Sequence, residues 1–379
     1  MKKLFLKIVP LLLVAFIFSG NKPQPKVERS FALRTENSRS FYMGFSSFAS
    51  DMEVKAIQRG HELSNKNSDI RSVQLDAGVP WVEMDQKKSV PKRILDDWSY
   101  TKSQCGKKKI LISITSRDFE GTHLALYANE HGNNQPLPSD WAHLAQNDLK
   151  VKQAYLRYAR AVIDFWQPDY LAINVEANII ANKSMEVWQQ YLDLHRYIYE
   201  ALKKDHPKLL IFASIQVEHF RGLMADATGK ASLQKEILGQ LNPYQDMLAL
   251  SVYPYSAQGE FTDDYFDDFK VYKKPIAISE TGWPAESFMM FGYPTAGSQE
   301  AQSTYLQNIL HAANQNKFIF VINWVSVDYI KLLEKLPKND AMEFSKSWAY
   351  NGLWDKDFNS KKALQVWQSY YQMKRHEEV

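Results

Sequence analysis

Two glutamates stand at the ends of apolar runs, where an unpaired charge is costly. Glu176 closes the run YLAINVE, and Glu280 closes the run PIAISE. A carboxylate in such a place needs either a salt-bridge partner or a function. Capping the next helix or pairing with an arginine is the purely structural alternative for each of them. As a pair, two carboxyl groups in different environments can break a glycosidic bond, one as acid and the other as nucleophile.

Retaining glycoside hydrolysis sets a geometric condition on this pair. The two carboxyl groups must lie roughly 5 Å apart, so that one protonates the leaving group while the other attacks the anomeric carbon. The attacking group must also stay ionised, and a nearby hydroxyl donor helps to hold it charged. We expect Tyr253 to be that donor for Glu280.

The chain from residue 41 onward alternates short apolar or β-branched runs with longer segments of helical period. Helical period is clearest in residues 151–166, 185–204 and 299–315. Eight strand-like runs can be counted: 41–47, 70–80, 109–115, 170–176, 209–215, 246–254, 275–280 and 318–325. Eight strand and helix units predict one α/β domain, a single (β/α)8 TIM barrel over residues 41–379. An open doubly wound sheet alternates in the same way, but no GxGxxG or P-loop sequence follows any run.

In such a barrel, ligands bind where strands end and loops begin, on the C-terminal face. Polar and aromatic side chains at these ends are therefore the candidate sugar-binding residues. They are Asp76, Trp81, Arg117, Asn174, Asn178, Tyr253, Trp283 and Trp324. Tryptophan packs on sugar rings but also fills cores, so either role is open for the three tryptophans.

The segment IAISETGWP (276–284), which contains Glu280, resembles the nucleophile segment of clan A glycoside hydrolases. Similar stretches occur in the family 53 galactanases and the family 17 β-1,3-glucanases. The segments QLDAGVPW (74–81), PDYLAINVEAN (168–178) and LSVYPY (250–255) look like a bacterial branch akin to family 53, and the likeness covers most of 41–371. The resemblance implies that Glu176 is the acid/base and Glu280 the nucleophile. It also implies a β-linked, galactan-like poly- or oligosaccharide as substrate and no cofactor.

The resemblance fails at the residue before the acid/base. Clan A enzymes usually have asparagine there to hold the sugar 2-hydroxyl, and this chain has Val175. Asn174 and Asn178 are the candidates to replace that contact. On a regular strand Asn174 would share the face of Glu176, and Val175 would point away. The departure favours an alternative function, a non-catalytic carbohydrate-binding or scaffold barrel.

Bulk composition excludes several other classes of function. The formal net charge is +3 and the basic residues are scattered, which does not indicate a nucleic-acid surface. Cys105 is the one cysteine, so an internal disulfide and a CxxC metal or redox site are excluded. The nine histidines show no HExxH or paired ligand spacing, so no metal site is expected. A serine hydrolase would need a GxSxG sequence, which is missing.

The N-terminus predicts export. Residues 1–20 have a basic start, an apolar run and a small-residue end, the pattern of a signal peptide. The apolar run at 8–18 is too short for a comfortable membrane span, although an uncleaved anchor is the alternative because no A-x-A site follows. Residues 21–40 are polar with two prolines and predict a tether. We expect a secreted or periplasmic protein, or one held at the envelope, without a further membrane segment. The sequence does not indicate an oligomeric state.

Overall fold

The computed structural model describes residues 38–118, 120–257, 261–262 and 264–376. The predicted signal peptide (1–20) and most of the predicted tether (21–40) lie outside these residues. The end of the tether segment belongs to the fold, because Ser38–Arg39 forms a short strand parallel to Lys374–Arg375. The backbone N–H of His376 extends this pairing by donating to Arg39 O at 2.9 Å. The folded domain thus begins before the predicted boundary at residue 41.

Parallel strands form a closed barrel. The sheet has nine segments, and its two edges, Leu210–Phe212 and Ser214–Gln216, are halves of one strand interrupted at Ala213. The described part of the chain therefore has eight barrel strands, hydrogen-bonded in sequential order, which confirms the predicted (β/α)8 TIM barrel. They are β1 (Tyr42–Ser46), β2 (Ile70–Leu75), β3 (Lys109–Ile114), β4 (Tyr170–Ala172), β5 (Leu210–Phe212 with Ser214–Gln216), β6 (Leu248–Val252), β7 (Ile276–Thr281) and β8 (Phe320–Asn323).

Helices surround the barrel. The α-helices are Val54–Lys66, Trp81–Asp85, Lys92–Ser103, Leu149–Trp166, Ile179–Lys183, Met185–Asp205, Val217–Phe220, Ala231–Leu241, Asp267–Lys270, Gln299–Gln315, Ile330–Lys335, Asp340–Ser345 and Lys362–Tyr371. The three that the helical period predicts begin after Asp148, Ser184 and Ser298, whose side chains accept a backbone N–H of the first turn. Within the described residues, no helix is both long enough and apolar enough to cross a membrane.

The alternation of side chains along β2 shows how the barrel positions its mouth. Ile70 packs in the apolar cluster inside the barrel, whereas Val73 packs in the cluster between the sheet and the outer helices. Successive side chains of a strand point to opposite faces, so Gln74 faces inward like Ile70. Gln74 is near the C-terminal end of β2, and its side chain reaches Glu280 on β7. The inward face of β2 thus places a polar side chain at the C-terminal mouth of the barrel.

Strand β4 ends earlier than the sequence predicts. The predicted strand covers residues 170–176, but β4 ends at Ala172 and the backbone bends over residues 173–176. The argument that Asn174 and Glu176 share a strand face is therefore wrong, because it requires an extended backbone. Glu176 has φ of 48°, in the left-handed region, which costs a residue other than glycine about 1–3 kcal/mol.

A β-hairpin that the sequence analysis did not predict follows β7. Its strands are Glu286–Met290 and Tyr293–Ser298, paired antiparallel, with Gly292 at φ 80° in the turn. Phe288 and Met290 on one face are buried against the loops that follow β4 and β5. The hairpin therefore covers part of the barrel mouth on the side of these strands.

Candidate active site

The carboxyl groups of Glu176 and Glu280 lie in one site at the C-terminal mouth of the barrel. Glu280 is the second-last residue of β7, and Glu176 follows the end of β4. Both residues are largely buried, with 4% and 7% of their surface exposed. The negative charge of Glu280 raises the pKa of Glu176, which shows that the two groups interact. The structure thus brings the two predicted catalytic residues together.

Hydrogen-bond donors surround Glu280. The Tyr253 hydroxyl donates to Oε2 at 3.2 Å, and the Gln74 amide nitrogen donates to Oε1. Burial raises the pKa of Glu280, and the two donors act against this effect because they stabilise the ionised carboxylate. The charge of Asp76 raises the pKa further. Tyr253 therefore has the contact that the sequence analysis expected, and Glu280 has the environment that a nucleophile needs.

The surroundings of Glu176 also favour the protonated form, and Tyr253 and Gln74, which stabilise ionised Glu280, do not donate to it. Burial raises the pKa of Glu176, and the charge of Glu280 raises it further. The charge of Arg117 and the hydroxyl of Ser251 act in the opposite direction. Because the two glutamates differ in this way, Glu176 is the member of the pair better suited to hold a proton at neutral pH.

The bent backbone around Glu176 is held by buried polar contacts. Arg117 donates through Nη2 to Val175 O at 2.5 Å and to Glu176 O at 3.2 Å. The Glu176 N–H donates to Ser214 Oγ on β5 at 2.8 Å. These contacts compensate the cost of the left-handed conformation, and they aim the carboxyl at the mouth. Arg117 is 4% exposed and supports the bend in this way, and its sugar contact stays a prediction.

Asn174 and Asn178 are the two candidates to replace the asparagine that clan A enzymes have where this chain has Val175. Asn174 is fully buried, and its Oδ1 accepts from Val175 N at 2.8 Å and from Arg117 Nε at 3.3 Å. Asn178 is 1% exposed, and its amide joins the loop after β4 to Gln216 N and O at 2.8 and 3.0 Å. These contacts hold both amides against the protein, and the sugar contacts of Asn174 and Asn178 stay predictions.

The three candidate tryptophans have different surroundings. Trp81 is fully buried, stacks on Trp141 at 5.4 Å between ring centroids and donates to Ala125 O at 2.8 Å. Trp283 is 3% exposed and packs between two tyrosine rings. Both rings pack against protein, which favours the core-filling role among the two roles that the sequence left open for them. Trp324 is half-buried and lines a cavity at the mouth, where its ring is accessible to a ligand.

That cavity has a volume of about 370 Å³, and neither Glu176 nor Glu280 lines it. Gln74 lines it and at the same time donates to Glu280. Asp76, the residue after β2, also lines it and is partly exposed there. Burial of its carboxyl raises the pKa of Asp76 to about 7. The predicted binding residues Asp76 and Trp324 thus lie on the wall of a cavity that is joined to Glu280 through Gln74.

The sequence analysis missed Gln74, Ser214 and Glu218. Gln74 lies two residues before Asp76, and period-two alternation from Asp76 could have placed it on the same inward face. Glu218 is fully buried and accepts from the Tyr253 N–H at 3.0 Å and the Tyr265 hydroxyl at 2.7 Å, which fixes the residue that contacts Glu280. Ser214 carries no sequence signal, because its role depends on the pairing of β5 with the bend after β4.

No family model and no curated protein matches the sequence. Solved structures do match its fold. The exo-β-1,4-mannosidase Op5Man5 from Opitutaceae bacterium strain TAV5 superposes with a TM-score of 0.60 and 13% identity over 88% of this chain and 59% of that chain. A GH5_18 protein from Streptomyces cattleya in complex with Manβ1-4GlcNAc gives 0.59 and 12%, over 89% and 82%. The GH53 catalytic domain of Ignisphaera aggregans gives 0.53 and 16%, over 92% and 99%. The chain thus shares the fold of clan A glycoside hydrolases, including a GH53 domain.

Proposed function

We propose that this protein is a retaining glycoside hydrolase that acts on β-linked poly- or oligosaccharides, with Glu176 as acid/base and Glu280 as nucleophile. The observation that carries the proposal is the pair of buried, interacting carboxyls whose surroundings differ at the barrel mouth. Fold neighbours described as an exo-β-1,4-mannosidase, a xylanase and a GH53 catalytic domain support the same class of reaction. Galactan is the first substrate to test, because the sequence segments around both glutamates look like family 53.

The proposed reaction has two steps. In the first, Glu176 donates its proton to the glycosidic oxygen while the Glu280 carboxylate attacks the anomeric carbon, so the leaving sugar departs and a glycosyl ester forms. In the second, ionised Glu176 removes a proton from water, the water oxygen attacks the same carbon, and Glu280 leaves as carboxylate. Two inversions retain the β configuration. Tyr253 and Gln74 stabilise the charge on Glu280 before attack and after release.

We further propose that the protein is exported, since the predicted signal peptide precedes a domain in which no described helix spans a membrane. It is secreted or periplasmic, or held at the envelope by an uncleaved anchor. Cell fractionation tests this proposal. Recovery of the protein in the cytosol with residues 1–20 still attached would contradict it.

Chemical rescue by azide tests the roles of the two glutamates. Glu280→Ala should lose turnover on every substrate, and azide attacking from the vacated face should give the α-glycosyl azide. Glu176→Ala should keep the first step for aryl β-glycosides with good leaving groups, and azide should give the β-glycosyl azide. Glu83→Gln is the matched control, because Glu83 accepts a hydrogen bond from the Tyr127 hydroxyl at 2.9 Å and lies outside the reacting pair. Azide should form no adduct with this variant.

Two results would argue against the proposed function. Azide adducts of the same configuration from both alanine variants would refute the assignment of roles. A folded wild type that hydrolyses no member of a panel of aryl β-glycosides and β-linked polysaccharides, but binds one of them, would favour the non-catalytic carbohydrate-binding barrel.

A further inference from the structure

The cavity beside Gln74 lies between β2 and two outer helices, Val54–Lys66 and Lys92–Ser103. Its volume of about 370 Å³ is within the range of small-ligand sites. Ser46 and Ser47 at the end of β1 and Asp76 after β2 form the part nearest the barrel mouth. Gln74 lines the cavity and donates to Glu280, and the charge of Asp76 acts on Glu280, so one layer of side chains joins the cavity to the proposed nucleophile.

Aromatic rings form much of the cavity wall. Trp324 is half-buried, and its ring centroid lies 5.4 Å from that of Phe48. Trp98 and Tyr100 contribute from helix Lys92–Ser103. Flat apolar faces with a few polar groups between them suit the C–H face and the hydroxyls of a sugar ring.

The carboxyl of Asp76 has a backbone N–H as hydrogen-bond donor but, among the described residues, no side-chain partner. Asp96 and Asp97 also line the cavity, but Asp96 pairs with Lys92 at 2.7 Å and Asp97 pairs with Arg93 at 3.0 Å. Among residues 38–118, 120–257, 261–262 and 264–376, no side chain donates a hydrogen bond or forms an ion pair to Asp76. Because Asp76 is partly exposed in the cavity, its carboxyl oxygens can accept hydrogen bonds there from the hydroxyls of a ligand or from water.

The cavity offers nothing to an anionic ligand. No lysine or arginine of the described residues lines it. Arg71 lies behind the wall, where it donates to Ser47 Oγ at 2.7 Å and contacts His61 Nδ1 at 3.3 Å. A carboxylate or sulfate on a bound sugar would therefore meet Asp76 without a cation to pair with.

We infer that this cavity holds an uncharged sugar residue of the substrate and that Asp76 selects it, by accepting hydrogen bonds from its hydroxyls and repelling uronic acids and sulfated sugars. The inference rests on the proposed function, since it places this sugar in a cavity that is joined to the proposed nucleophile through Gln74. Asp76 thereby becomes a specificity-determining residue. Trp324 and Phe48 supply the apolar surface of the same site.

Binding of hydrolysis-resistant thio-linked disaccharides separates this inference from catalysis. Isothermal titration calorimetry is run with β-galactosyl, β-glucosyl and β-mannosyl disaccharides and with the β-glucuronyl counterpart of the glucosyl compound. Wild type should bind at least one neutral disaccharide and prefer the glucosyl over the glucuronyl compound by tenfold or more. Asp76→Asn keeps the shape but removes the charge, so it should weaken neutral binding by about tenfold, and it should also reduce the discrimination against the glucuronyl compound.

Asp97→Asn is the matched control, because this aspartate lines the same cavity but already pairs with Arg93. It should bind all four compounds as wild type does. Three results would each overturn the inference. They are an affinity of Asp76→Asn for neutral compounds within twofold of wild type, tighter binding of the glucuronyl compound by wild type, and no binding of any neutral compound. If Asp76→Asn does not fold, the preference of wild type for the glucosyl over the glucuronyl compound decides. If wild type binds neutral saccharides but hydrolyses none, the proposed function alone is refuted. If it hydrolyses them and Asp76→Asn leaves the rate unchanged, this inference alone is refuted.

Discussion

Removing the Tyr253 hydroxyl should shift the titration of Glu280. The hydroxyl donates to Glu280 Oε2 at 3.2 Å, and Tyr253 is 2% exposed, so Tyr253→Phe deletes one donor and leaves the ring packed. A hydrogen bond to a charged group contributes about 1.5–3 kcal/mol, and this one is at the long end of the usual range, so we take the lower value. One pKa unit corresponds to about 1.4 kcal/mol, which predicts a rise of about one unit in the pKa of Glu280.

The sign follows from which form loses its partner. The hydroxyl stabilises ionised Glu280, so its loss favours the protonated form and raises the pKa. The acidic limb of the kcat/KM profile on an aryl β-glycoside should therefore move up by about one pH unit, with about tenfold less activity on that limb and little change on the plateau. Titration of the glutamate side-chain carbons by NMR measures the same shift directly and does not depend on turnover.

Tyr255→Phe serves as the matched control. The Tyr255 hydroxyl is equally buried, but it donates to Ser347 O at 2.8 Å and contacts neither reacting carboxyl. Its removal should leave the acidic limb and the Glu280 titration in place. An unshifted or lowered Glu280 pKa in Tyr253→Phe, or an equal shift in the control, would refute the reasoning that this hydroxyl holds the nucleophile ionised.

Three further predictions concern the stability of the fold and its loss on mutation. Burial raises the pKa of Glu176 above its unfolded value, so ionisation of Glu176 destabilises the fold as pH rises. Glu176→Gln should therefore raise the Tm at pH 8 to 9 but not at about pH 4. A difference in Tm that does not depend on pH would contradict this. Lys361 and Asp328 form an ion pair at 2.6 Å, and both side chains are 2% exposed. Lys361→Met should therefore lower the free energy of unfolding in urea by about 3–5 kcal/mol, because it leaves the Asp328 charge buried and unpaired. Adding Asp328→Asn should recover part of the loss. Trp81→Ala should lower the free energy of unfolding by about 3–5 kcal/mol, because Trp81 is fully buried. Trp324→Ala should lower it less, because Trp324 is half-buried, and should weaken saccharide binding. The reverse ranking would show that the two roles are exchanged.

Local sequence patterns were sufficient for the barrel and for part of its site. Eight apolar runs separated by segments of helical period predict parallel strands with crossover helices, because period and length alone distinguish these elements. Glu280 and Tyr253 could be assigned for the same reason, since each lies at the end of such a run and the C-terminal ends of barrel strands converge. Their contact in the structure depends on two neighbouring strands, β6 and β7, whose runs were both recognised.

The tertiary structure alone decided which polar and aromatic residues line the cavity. Trp81 and Trp283 follow strands just as Trp324 does, but their rings are buried by residues from distant parts of the chain, which no local pattern reveals. Asn174 and Arg117 also make contacts across strands, around a left-handed bend that alternation along a strand could not predict. Strand and helix period are properties of neighbouring residues, so the sequence determined which side chains lie at the ends of the barrel strands. Burial depends on long-range packing, so the tertiary structure determined which of these side chains line the cavity.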